Sequence, residues 1–82
     1  MDILVKVKIP QGQRAKRHYV DGVINLKNMT MCMPHNSIIN KNATIVYFTS
    51  GESQLIQVRY EKFIILLEKL YGENLIEMKD DE

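Results

Sequence analysis

Apolar and polar positions alternate from the start of the chain, with Ile3, Val5, Val7 and Ile9 on one side and Leu4, Lys6 and Lys8 on the other. A period of two marks a half-buried strand. Pro10 lacks an amide hydrogen and is expected to end it, with Gln11-Gly12-Gln13 as the turn that follows. A second strand is expected around Tyr19-Val20, with Asp21-Gly22 as a turn dipeptide ahead of Val23-Ile24-Asn25-Leu26. Lys27 to Lys41 holds no clean period. Met29, Met31 and Met33 would share one face in strand register as flexible core filler, Pro34 interrupts them, and His35-Asn36-Ser37 and Asn40-Lys41-Asn42 read as turns.

The clearest pattern comes next. Ile45-Val46-Tyr47-Phe48-Thr49 and Leu55-Ile56-Gln57-Val58-Arg59 flank Ser50-Gly51-Glu52-Ser53-Gln54, a hairpin in which Gly51 can supply a positive φ. Ile56 and Val58 alternate with polar neighbours, whereas the first strand is apolar on both faces and reads as central, one face under a helix and the other sticky. From Glu61 the period changes, and Phe63, Leu66, Leu67, Leu70 and Tyr71 recur at helical spacing until Gly72. No Ser, Thr, Asp or Asn precedes Glu61 to cap this helix. Ile64 and Ile65 widen its apolar arc beyond a single stripe, which predicts deep burial or a partner interface.

These elements predict an α+β fold: an antiparallel sheet of three to four strands (2–9, about 18–26, 44–49 and 54–59) with one C-terminal helix, 61–71, packed on one face. A further short strand could come from Thr30 to Met33, and a small barrel closed by the helix is the alternative. Residues 1–78 read as a single small domain and 79–82 as an acidic, frayed tail. The order of strand, turn-rich insert, Gly-turned hairpin and helix is common to many small bacterial and phage regulatory proteins and singles out none.

With 82 residues, 45% hydrophobic and 26% charged, the chain has room for one small core, which makes a homodimer a natural expectation, with Ile64, Ile65 and Phe48 as contacts. The lone Cys32 excludes an intrachain disulfide, and two histidines give no recognisable metal framework. No cofactor is expected, because Gly12, Gly22 and Gly51 stand apart without a phosphate-cradling pattern. No apolar run is long enough to span a bilayer, and no secretion signal opens the chain, so no membrane partner is expected and the cytoplasm is the expected compartment.

Charge divides along the sequence. Residues 1–41 carry seven Lys/Arg against two Asp, and residues 42–82 carry four against eight Asp/Glu. The basic set Lys6, Lys8, Arg14, Lys16 and Arg17, with Tyr19 to stack on a base, could meet a phosphate backbone. Solvation of an edge strand accounts for the same lysines. An alternative function is a protein-docking module or inhibitor that binds a larger protein through its acidic C-terminus (Glu73, Glu77, Asp80, Asp81) and its apolar helix (Ile64, Ile65). An enzyme is not expected. The one nucleophile–base spacing, Cys32 with His35, sits among methionines where an inert buried thiol is the simpler account. The sequence therefore favours a small non-enzymatic regulatory binding protein with nucleic acid as its first candidate partner.

Overall fold

The structure is a computed structural model that describes residues 2–11 and 18–80. Among the described residues the fold is α+β, with five antiparallel strands in two sheets and a C-terminal helix packed on the larger one. Strands β1 (Leu4–Gln11) and β2 (His18–Asn25) form a two-stranded ribbon. A 3₁₀ turn, Leu26–Asn28, leads into β3 (Met29–His35), which pairs with β4 (Ala43–Phe48), and β4 pairs with β5 (Ser53–Ile56). The helix α1 spans Tyr60–Tyr71.

In the ribbon, Val7 pairs with Gly22 and Ile9 with Val20 on the inner face. Two expectations need correction here. β1 does not stop at Pro10 but continues to Gln11, with Pro10 opposite Tyr19. Proline is tolerated where its missing donor is not required by the ladder. Asp21-Gly22 is not a turn but lies within β2. A Cβ built on Gly22 would overlap the Ile9 side chain, so the glycine is there to admit Ile9 over the strand, the close-approach role of a strand glycine.

Three departures follow in the second sheet. Pro34 lies inside β3, which is an edge strand. A register shift between Met29 and Met31 breaks the shared methionine face: Met29 packs on the core, while Met31 and Met33 lie opposite Tyr47 and Ile45 on the other side. An extra residue in one strand inverts the alternation beyond it. β5 ends at Ile56 rather than reaching residue 59, because Gln57 turns away and its N–H donates to the Lys8 carbonyl at 2.8 Å. That bond ties the second sheet to β1.

β4 is the central strand of its sheet, apolar on both sides. Val46 faces the core with Cys32 across from it, and Ile45 and Tyr47 face outward with Leu55, Met31 and Met33. Phe63 and Leu67 descend from α1 onto Val46 and Ile56, and Val7, Ile24 and Leu26 complete the cluster from the ribbon and its exit. Ile64, Leu66 and Tyr71 pack at its margin, while Leu70 is exposed rather than inward. The β4–β5 turn carries Gly51 at φ 92°, as its position between strands demands. Gly72 closes α1 at φ 53°, its N–H donating to the Glu68 carbonyl.

Candidate functional site

The ribbon register places Lys6, Lys8 and Tyr19 on one solvent-facing side, since Lys6 pairs with Val23, Lys8 with Asp21 and Pro10 with Tyr19. Lys8 is engaged there, its Nζ 2.6 Å from Asp21 Oδ1, so much of its charge is offset locally. Arg14, Lys16 and Arg17, the rest of the expected basic set, lie outside the described residues.

Cations that the sequence-half division had hidden come together elsewhere. Lys41, Asn42, Gln57, Val58, Arg59 and Lys62 line a surface concavity of about 540 Å³, with no carboxylate in its wall. Its geometry is built from the segment between β5 and α1. Gln57 donates its backbone N–H to Lys8 and its Nε2 to the Lys41 carbonyl, both at 2.8 Å, which holds the Lys41 loop against the start of α1. The Oε1 of the same side chain is buried without a partner among the described residues. One residue on, the Val58 carbonyl accepts the Thr44 hydroxyl at 2.7 Å. Arg59 is thereby delivered to the N-cap of α1, in extended conformation and with no side-chain cap bond.

The electrostatics follow from this placement. The first turn of an uncapped helix presents unpaired N–H groups and the positive end of the helix dipole. Lys41, Arg59 and Lys62 add three formal charges around it, and Glu61 in the first turn is the opposing acid. Lys62 also lines a second groove of about 350 Å³, with Lys6, Lys69, Val5, Val58, Ile65 and Leu66. The two depressions are thus joined through Lys62, and five cations (Lys6, Lys41, Arg59, Lys62 and Lys69) border them.

The expected protein-interface residues separate. Ile64 is half-buried against the core, Ile65 is 51% exposed in the second groove, and Glu73, Glu77 and Asp80 are exposed. Asp81 lies outside the described residues. Cys32 and His35 sit three residues apart in β3 and so project to opposite faces. Burial pushes the Cys32 thiol up, the reverse of what an attacking thiolate needs. No group of three or more His, Cys, Asp or Glu side chains among the described residues could hold a metal ion, and no helix there is long and apolar enough to cross a membrane.

Lys41, Arg59, Lys62 and Lys69 were missing from the sequence reading. Lys62 and Lys69 were open to discovery, because positions i and i+7 share a helix face with Ile65 and Leu66 between them. Arg59 read as the end of a strand, and Lys41 belongs to a loop whose placement depends on Gln57. Comparisons with protein families, with characterised proteins and with solved structures find no match to this chain.

Proposed function

We propose that this chain is a small non-enzymatic regulatory binding protein that contacts nucleic-acid phosphates, with the concavity at the start of α1 as its principal contact. The observation that carries the reading is the convergence of Lys41, Arg59 and Lys62, from two separate segments, around one carboxylate-free depression beside an uncapped helix start. Helix N-termini receive anions through their free N–H groups, and lysine and arginine neutralise phosphates whatever the sequence. Lys6 and Lys69 extend the cationic border along the neighbouring groove. Tyr19 and Lys6, exposed on the ribbon face, offer a stacking ring and a further charge.

The test is binding of labelled single-stranded and duplex oligonucleotides across a salt series, compared with the Lys41→Glu/Arg59→Glu/Lys62→Glu variant. Affinity that falls with salt, and falls further in the variant, supports the reading. Equal binding by parent and variant removes the concavity from it.

A further inference from the structure

β1 presents an open edge beside an apolar groove. Backbone groups along an antiparallel strand point alternately to its two sides. The Ile3 carbonyl accepts the Leu26 N–H on the β2 side at 2.9 Å, and the Lys8 carbonyl accepts the Gln57 N–H on the opposite side at 2.8 Å. By that alternation the N–H and C=O groups of Leu4 and Lys6 face away from β2 with those of Lys8. Among the described residues no backbone bond from outside the ribbon reaches either residue. Beside this edge lies the groove of Val5, Val58, Ile65 and Leu66, bordered by Lys6, Lys62 and Lys69, with no carboxylate in its lining. None of these three lysines forms an ion pair among the described residues.

The end of the chain has the complementary chemistry. Ile76 and Met78 are 83% and 94% exposed, and at a spacing of two they fall on the same side of an extended backbone. Glu77 lies between them and Asp80 follows, both exposed. The segment after Asn74 belongs to no helix or strand, and its backbone is available for pairing.

We propose that this segment, residues 76–80, adds as an extended strand to the β1 edge of a second copy of the chain. Ile76 and Met78 enter the groove with Asp80 on their side, toward Lys62 and Lys69, and Glu77 points to the other face, toward Lys6. Strand addition takes affinity from main-chain bonds and specificity from alternate side chains in pockets. The chain's own segment is directed elsewhere: Leu75 lines a different concavity with Ile3, Leu26, Met29, Leu67 and Tyr71. Leu67 and Tyr71 lie on the flank of α1 away from Ile65 and Lys69, at 100° per residue. Reciprocal exchange between two copies gives a closed two-fold dimer, and a formal net charge of +1 offers little repulsion to it.

The inference stands without phosphate binding and is tested without nucleic acid. Sedimentation velocity of the full chain at low salt, up to high micromolar concentration, should show a monomer–dimer equilibrium. Ile76→Asp/Met78→Asp should abolish the dimer, and Lys62→Glu/Lys69→Glu should weaken it about tenfold or more. Asp80→Lys should weaken it likewise, and mixing it with the Lys62→Glu/Lys69→Glu chain should restore association between them. Carbodiimide crosslinking of a mixture of ¹⁴N and ¹⁵N chains should join Asp80 to Lys62 or Lys69, and Glu77 to Lys6, across isotopes. Unchanged circular dichroism melts show that the surface variants remain folded. A parent that stays monomeric overturns the proposal. So does a dimer indifferent to the Ile76 and Met78 changes, or crosslinks confined to single-isotope species.

Discussion

Thr44 is fully buried, at 0% exposure, and its hydroxyl donates to the Val58 carbonyl at 2.7 Å. It holds the residue before Arg59 and so connects core packing to the candidate site. Thr44→Val replaces the hydroxyl with a methyl of similar size. A carbonyl left without its donor costs about 1–3 kcal/mol, and the added methyl recovers up to about 0.8 kcal/mol. The net destabilisation is about 0.2–3 kcal/mol, which at about 4–8 °C per kcal/mol lowers the Tm of a domain this size by about 1–24 °C. Thr44→Ser keeps the donor and loses a methyl, so it separates the bond from the packing. Thermal and urea unfolding followed by circular dichroism measure both. In the valine variant, amide exchange across the first turn of α1 should also accelerate, because the segment entering the helix loses an anchor. A valine variant that melts at or above the parent temperature would refute the assignment of Thr44 as the clamp on residue 58.

Two further outcomes follow from named contacts. Asp21→Asn releases Lys8 from its ion pair and removes an anion from the ribbon face. Oligonucleotide binding should tighten a few-fold at low salt, while stability, measured by urea unfolding, should change by less than about 1 kcal/mol because the pair is well solvated; unchanged binding would place the ribbon outside the contact. Cys32, its thiol raised by burial, should react with iodoacetamide far more slowly in the native protein than in urea. The raised native pKa means that the unfolded thiol ionises first. Its contribution to stability is therefore complete below the unfolded value of about 8.5 and is lost as pH rises through the folded one. Cys32→Ala should flatten that alkaline decline in unfolding free energy, and an alkaline limb identical in both proteins would count against it.

The hairpin and helix were legible because each has a local cause: Gly51 for the turn, the change of period at Glu61, and Gly72 for the stop. The centrality of β4 was legible too, since Val46 and Tyr47 place apolar groups on opposite faces. Local signals misled where tertiary packing decided. Asp21-Gly22 carries strong turn chemistry, yet Gly22 serves Ile9 within a strand. Pro10 and Pro34 look like strand ends until the free ladder side of each strand is known. The methionine pattern could not be phased without the bulge between Met29 and Met31. The site was less legible than the fold. Splitting charge between the two halves of the sequence concealed that Lys41, from the first, meets Arg59 and Lys62, from the second, through the hydrogen bond that Gln57 Nε2 donates to the Lys41 carbonyl. Long-range hydrogen bonds of this kind leave no periodicity to read.

Lys41, Arg59 and Lys62 are proposed to act together on phosphate at the start of α1. Fluorescence anisotropy of a single-stranded oligonucleotide, from about 50 mM salt upward, tests it most directly, because the slope of log K against log salt counts neutralised phosphates at about −0.7 each. Binding should be measurable at the lowest salt, and the slope should be about 2 shallower in the Lys41→Glu/Arg59→Glu/Lys62→Glu variant, as three contacts are lost. Absence of binding at the lowest salt, or an unchanged slope and affinity in a folded variant, would contradict it.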